Sequence, residues 1–572
     1  MKNKELKQFI DSATGREKVD LVVKNAQIVD VFSGKIVEGD LALKNGLIVG
    51  IGAYEGENTF DAHGSYLLPG LIDSHVHIES SYVDPSSFAR LLLPRGTTTT
   101  IVDPHEICNV AGLDGFDYMV QVAKDSPLSI FFMLPSCVPS TPFETSGATL
   151  LAKDLAKRIG KSEVLGLGEM MDTVGTLAGD ESVLDKLNLA RVHHKVIDGH
   201  APQVSGKELN AYAGAGVLSD HECTTVEELE ERIARGMYVL LREGSATKDL
   251  KALLPGVTAI NAHRCLFCTD DRQPESIIDE GHIDNHLRIA VAEGLDPLTA
   301  IRMATINAAT CYSLHDRGAI APGRRGDFIL VDNLKDFRVS DVFIKGKRYQ
   351  ANTVKEAPIP SKVETKINIR DFSSAKLRLL LKADKVRAIG IIPSMIVTNN
   401  LEVTVQRDGE GYYQNTPTQD IVKLAVIERH KGTGNVALAL LAGYGLKEGA
   451  IATTIAHDSH NIIVAGDNDA DMVVAIESLQ KTKGGIVIVR NGQLIDALAL
   501  PIAGLMTNKS GEYVSEKLSA MLKVAYEEFR IPKDIDPFMT LSFMALPVVP
   551  HLKVTDRGLF DVDQFKFIPI EV

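Results

Sequence analysis

Leu67-Leu68-Pro69-Gly70-Leu71-Ile72-Asp73-Ser74-His75-Val76-His77 is the stretch that decides how this chain is read. A short apolar run ends in two histidines one residue apart. Alternate side chains of a strand share a face, so His75 and His77 can serve one ion at the strand's tip. A lone His-x-His is also what a half-exposed strand carries by accident, so the weight falls on recurrence. The pattern recurs four times downstream: Val164-Leu165-Gly166-Leu167-Gly168 ends in Glu169, one strand ends in Asp198-Gly199-His200, the next in Ser219-Asp220-His221, and Cys265-Leu266-Phe267-Cys268 leads into Thr269-Asp270-Asp271. His75, His77, Glu169, His200, His221 and Asp270 are therefore the expected metal ligands, with Glu169 able to bridge two ions. Imidazole and carboxylate without thiolate suit Zn, Mn or Fe(II) and do not choose among them. The chain reads as a metallohydrolase.

Around these strand ends, apolar runs alternate with amphipathic stretches from Leu67 to about His315. Thr97–Val102, Leu128–Leu134, Val164–Gly168, Lys195–Asp198, Val217–Ser219, Tyr238–Leu241 and Cys265–Cys268 join the opening strand. Eight strands over about 250 residues are the size of a (β/α)8 TIM-type barrel, whose functional groups sit at the C-terminal strand ends. Before it, short strands break at Ser33-Gly34-Lys35 and at Asn45-Gly46, a strong hairpin signal. Matching β segments return at Gly318–Gly323, Asp327–Val331 and Val342–Gly346. The expectation is an α/β chain with the barrel, residues 67–315, inserted in a small β domain made of 1–66 and 316–355. Beyond the Pro-rich join Pro358-Ile359-Pro360, residues 356–572 read as a C-terminal α/β domain, with Gly485–Val489 a strand and Glu516–Phe529 helical.

Composition excludes several classes. At 572 residues the chain exceeds one ordinary domain, and 45% hydrophobic with 24% charged residues is globular. A formal net charge of −14 speaks against a nucleic-acid backbone as partner. No apolar run is long enough for a membrane span, and no basic-plus-apolar leader opens the chain at Met1-Lys2-Asn3-Lys4. Six scattered cysteines fit reduced thiols in a cytoplasm. Cys265-x-x-Cys268 lies within an apolar run, has no second pair, and reads as strand packing.

On Pro69–His77 and Ala321-Pro322-Gly323-Arg324-Arg325-Gly326-Asp327 the chain resembles the amidohydrolase superfamily. More narrowly it resembles the bacterial adenine deaminase family, on His77-Ile78-Glu79-Ser80-Ser81, Val102-Asp103-Pro104-His105-Glu106, Gly168-Glu169-Met170-Met171, Cys268-Thr269-Asp270-Asp271 and His457-Asp458-Ser459-His460-Asn461. The resemblance implies hydrolysis of adenine to hypoxanthine and ammonia at a binuclear centre, with Mn(II) or Fe(II) preferred over Zn. Many superfamily members bridge their ions with a carboxylated lysine; Glu169 stands here, a departure the deaminase branch shares. In that mechanism a metal-bridged hydroxide attacks C6 of the purine. Asp270 is the expected proton shuttle to the departing ammonia. Glu79, Ser80, His105, Glu106 and Asp271 face the same mouth and are candidates to hold the purine.

His457-Asp458-Ser459-His460-Asn461 follows the strand-like run Ile451–Ala456. It reads either as an Asx-type turn or as a cover over the barrel mouth, with His457 and His460 lent to substrate or to a further ion. A homo-oligomer, a dimer, is expected. Two other readings compete with the deaminase. A hydantoinase- or dihydroorotase-like cyclic-amide hydrolase would want a lysine where Glu169 stands, and a non-catalytic scaffold would have lost ligands. The His-x-Glu and Pro-Cys-x-x-Cys signature of cytidine-deaminase-type enzymes is absent.

Overall fold

Eight parallel strands build the central barrel of the computed structural model, which describes residues 2–351, 356, 358–393, 395–416 and 418–572. They are β1 (Leu71–Val76), β2 (Thr97–Val102), β3 (Ser129–Leu134), β4 (Val164–Met170), β5 (Val196–Gly199), β6 (Ser219–Asp220), β7 (Tyr238–Arg242) and β8 (Cys265–Cys268). One ladder runs β1 to β5 and a second runs β6 to β8. Leu218 N–H donating to Ile197 O at 2.9 Å joins them on one side. The bridge between Val76 and Asp270 closes the other. Strands covered by helices outside and packed side chains inside need apolar or β-branched residues throughout. Thr97-Thr98-Thr99-Thr100 and Cys265-Leu266-Phe267-Cys268 meet that demand and are buried along their whole length. Gly70 lets the chain enter β1, because a Cβ there would lie 2.1 Å from Thr98 Oγ1.

Two details differ from the sequence expectation. Glu169 lies within β4, not past its end. Gly318–Gly323 forms no strand; Pro322 has no N–H to give a ladder, and Gly323 sits at φ 83°.

The barrel is flanked by a twisted sheet. Tyr66–Pro69, just before β1, pairs antiparallel with Phe328–Val331, which follows the last barrel helices. The chain thus leaves and re-enters one sheet, which also contains Val19–Asp30, Lys35–Lys44, Leu47–Ile51 and Val339–Ile344. The expected boundary at Lys355 and the initial Met1 lie outside the described residues.

The C-terminal part is an eight-stranded sheet running from Thr398–Thr404 at one edge to Gln493–Ala499 at the other. Helix Asp469–Thr482 covers one face, while helix Gly511–Glu527 packs against the barrel helices Pro85–Leu92 and Pro274–Asp279. A single apolar cluster runs without a break from Val102, Ile107 and Leu134 of the barrel to Ile463, Leu505 and Phe543 of this sheet and its loops. Among the described residues no helix is long and apolar enough to cross a membrane.

Candidate metal centre and the pocket beside it

His75 and His77 emerge at the tip of β1 with their Nε2 atoms 3.1 Å apart. Asp103 fixes the second ring: its carbonyl accepts from His77 Nδ1 at 2.8 Å, which leaves the Nε2 lone pair free. Glu169 lies beneath, oriented by its own N–H donating to Asp103 Oδ2 at 2.9 Å. Gly168 permits this approach, since a Cβ there would lie 2.0 Å from that carboxylate.

The two oxygens of Glu169 face different partners. Oε1 is 3.2 Å from His77 Nε2 and 3.9 Å from His75 Nε2. Oε2 is 2.9 Å from His200 Nδ1 and 3.3 Å from His221 Nε2. Asp270, just past β8, completes the first group, with Oδ1 3.2 Å from His77 Nε2 and 3.7 Å from His75 Nε2. Its backbone sits at φ 57°, a conformation Asp tolerates better than most residues. Two clusters sharing one carboxylate are thus preassembled, His75/His77/Asp270 and His200/His221.

Electrostatics agree with a cation-binding role. Burial would raise the Glu169 carboxyl, yet hydrogen bonds from His200, His221 and His77 hold it well below the usual range. Burial and the neighbouring His221 and His77 depress His75, keeping its ring neutral and its lone pair available. Against burial, Asp270 and Glu169 raise His77, Glu222 and Glu169 raise His200, and Glu169 lifts His221 to about 9, so positive charge is favoured among these donors. Imidazoles and carboxylates converging from separate strand ends are the donor set of a divalent-metal centre, and the residues fit one.

Three supporting residues escaped sequence reasoning. Arg242, at the end of β7, donates to Asp270 Oδ2 at 2.8 Å and to Asp249 at 2.9 Å, and also pairs with Glu222. Glu222 lies 3.4 Å from His221 Nε2 and 3.6 Å from His200 Nδ1. Asp103 was part of a quoted motif but had no assigned role. The signal for Arg242 and Glu222 was a charged residue beside a strand end, which local pattern alone does not separate from a surface group.

Beside the metal clusters, a polar pocket gathers Glu79, Ser80, Glu106 and Asp271 from the barrel with His457 and His460 from the C-terminal part. His105 is not on its wall; it lies against the centre, Nδ1 3.3 Å from Glu169 Oε1. Helix His105–Ala123 starts here, and Glu79 Oε1 accepts the Ile107 N–H at 3.1 Å, satisfying one of the helix's free donors. Glu79 Oε2 has no partner among the described residues. Burial raises that carboxyl to about 7. Ser80 Oγ is hydrogen-bonded to Asp271. The opposite wall is apolar, with Ile455, Leu505, Met539 and Phe543 from the C-terminal part, and Tyr82 and Gln273 close one side.

Glu106 links the two walls by hydrogen bonds to His457 Nδ1 and His460 Nε2. His460 Nδ1 accepts the Ala456 N–H at 3.3 Å, so its proton sits on Nε2 and is donated to Glu106. That is a hydrogen-bonded clasp. Burial opposes charge on His457, but Glu106 outweighs it and lifts the ring to about 9. Asp458 projects toward the centre from the same turn, Oδ1 3.9 Å from His105 Nε2.

With this geometry in view, the relatives are informative. Residues 66–349 match the amidohydrolase family and residues 395–566 the adenine deaminase C-terminal domain. The chain is 54% identical over 571 residues to "Adenine deaminase" of Nitratidesulfovibrio vulgaris (strain DP4), covering 99% of both chains. The chain belongs to the adenine deaminase family. It is also 52% identical to "Adenine deaminase 2" of Desulfotalea psychrophila, with all of both chains covered. To "Adenine deaminase" of Ligilactobacillus salivarius it is 50% identical, again over all of both chains. Family membership thus extends through the C-terminal part that supplies the clasp and the apolar wall.

Proposed function

We propose that this protein hydrolyses adenine to hypoxanthine and ammonia at a centre of two divalent ions. The observation that carries the reading is the full-length likeness to proteins named adenine deaminase. The polar pocket beside the His/Glu/Asp centre supports it. In this reading His75, His77 and Asp270 hold one ion, His200 and His221 the other, and Glu169 both. Mn(II) or Fe(II) is the favoured pair, with Zn(II) next, on the likeness to the adenine deaminase family; the imidazole and carboxylate donors suit all three. When bound, the ions make water acidic enough to serve as nucleophile near neutral pH.

The chain's own residues do the rest. Water adds its oxygen to C6, and the bond from C6 to the exocyclic nitrogen breaks. One water proton leaves with that nitrogen as ammonia and the other settles on the purine ring. Asp270 carries the first proton, its Oδ2 anchored by Arg242 at 2.8 Å so that Oδ1 keeps its aim. Glu79, Ser80, Glu106 and Asp271 read the ring nitrogens, with His105 at the border of ring and metal. His457 and His460 hold Glu106, and the apolar wall excludes bulk water, strengthening those hydrogen bonds. Residues 1–66 with 316–355 form the β unit of this arrangement, 67–315 the catalytic barrel and 356–572 its cover. A dimer in the cytoplasm is the working form we favour; all six cysteines are unpaired.

The test is ammonia release from adenine by Mn-loaded protein, with dihydrouracil and adenosine as controls. Hydrolytic ring opening of dihydrouracil, with no ammonia released from adenine, would overturn the reading in favour of a cyclic-amide hydrolase.

A further inference from the structure

Two cations in the C-terminal part are buried where no ion pair meets them. Lys553 and Arg429 are both 0% exposed. Among the described residues neither has a carboxylate oxygen within salt-bridge distance. Lys553 Nζ donates to the carbonyls of Ile396 at 2.8 Å and Phe543 at 3.1 Å. Arg429 donates through Nε to His460 O and through Nη2 to Ala503 O at 3.0 Å, while Nη1 has no partner. A buried charge without a counter-ion is costly, and an apolar side chain of similar volume would fill either place at less cost. Burial already pushes the Lys553 amine down to about 7 and the Arg429 guanidinium down to about 9, the latter partly offset by Glu428.

What these cations hold is the pocket's inner wall. The Phe543 ring stacks on the His457 ring, centroids 4.6 Å apart and planes 14° apart. The His457 N–H donates to Ser542 O at 3.0 Å, next to the carbonyl that Lys553 grips. Arg429 grips the carbonyl of His460 itself and that of Ala503, two residues before the wall residue Leu505. Gly504 lies so close beneath that a Cβ would sit 3.0 Å from Arg429 Nη2. Lys553, on the strand Leu552–Thr555, and Arg429, two residues past the strand Ile421–Ile427, therefore each hold loop backbone at a pocket residue or within two residues of one.

We propose that Lys553 and Arg429 are positioning residues for the substrate: they hold the Phe543–His457 ring pair and the His460–Leu505 segment against the purine pocket. This rests on the adenine reading for its kinetic consequence, not for its geometry. The wall contacts the base alike in ground and transition states, so its displacement weakens uniform binding and appears in KM.

The experiment compares Lys553→Met and Arg429→Met with the unaltered full-length, metal-loaded protein. The expected result is a KM for adenine raised about tenfold, with kcat within threefold and metal content per chain unchanged. Lys553→Gln, which keeps a donor nitrogen without the charge, should recover part of the KM and gives the same split if the methionine variant fails to fold. The crystal structure of whichever Lys553 variant folds should show the Phe543 and His457 rings displaced from their 4.6 Å stacking. Unchanged KM, or a fall in kcat alone, would overturn the proposal, as would a ring pair left in place. Lack of adenine turnover by the unaltered protein would instead sink the functional reading, and the ring positions would still decide the positioning role.

Discussion

Glutamine at position 169 keeps the size and shape of the bridge and removes its charge. Four imidazole nitrogens surround that carboxylate at 2.9 to 3.3 Å. With about 3 Å as the scale of the site and an effective dielectric of about 20, one negative charge beside one dication is worth about 11 kcal/mol. The amide oxygen retains a dipole and the site can relax, so only part of this is lost. A quarter of it, about 3 kcal/mol, already weakens an ion more than 100-fold. The first ion keeps His75, His77 and Asp270. The second keeps His200 and His221, with Glu222 3.4 Å from His221 Nε2 but already paired to Arg242, so the second should be the one that leaves. The assay is stepwise reconstitution of metal-free protein with Mn(II), read by metal analysis per chain and by ammonia release, with circular dichroism confirming the fold. One tightly held ion per chain and near-complete loss of turnover are expected. Two ions bound as tightly as before, with undiminished turnover, would refute the bridge.

The other predictions touch the proton path, the clasp and a buried acid. Asp270→Asn should lower kcat by about 10²- to 10⁴-fold with KM little moved, measured by steady-state kinetics at saturating metal; normal kcat with a raised KM would make Asp270 a binding group only. His457→Ala and His460→Ala each remove a hydrogen bond to a buried carboxylate, worth roughly 1.5–3 kcal/mol. Each should cost about 10- to 100-fold in kcat/KM with both ions retained, and full kcat/KM would make the clasp purely structural. Burial, followed by the charge of Asp458, raises the Glu144 carboxyl from 4.5 to about 8. The folded state therefore binds that proton more tightly than the unfolded chain, a stabilisation complete below pH 4.5 and lost as pH rises through about 8. Glu144→Gln cannot ionise, so its Tm should fall less than the unaltered protein's between pH 6 and pH 9; parallel Tm curves would show that Glu144 is not the group responsible.

How much of this was legible depends on how locally each feature is encoded. His75 and His77 were readable because the two-residue period of a strand is itself a statement about geometry, and the same holds for His200 and His221 past their strands. Glu169 was readable as part of this cluster although β4 runs one residue beyond it, because an alternating strand still aims it inward. Gly318–Gly323 misled because its apolar residues are buried without a ladder, Ala319 and Ile320 at 3% and 5% exposure. The clasp lay beyond any local signal: Glu106 and His457 are 351 residues apart and meet only because the apolar core continues from barrel into sheet.

Lys553 shows why the rest could not be read. Leu552-Lys553-Val554-Thr555 alternates apolar and polar, the pattern of a strand with one wet face, and it places the lysine in water. The strand is instead buried on both faces, all four residues included. Its outward side meets the segment carrying Phe543, and the amine finds the carbonyls of Phe543 and Ile396 in place of solvent. Alternation reports what a strand offers to each side, while the other layer decides whether a side is wet. Here that layer is the pocket wall, so the residue that breaks the pattern is the one tied to the site.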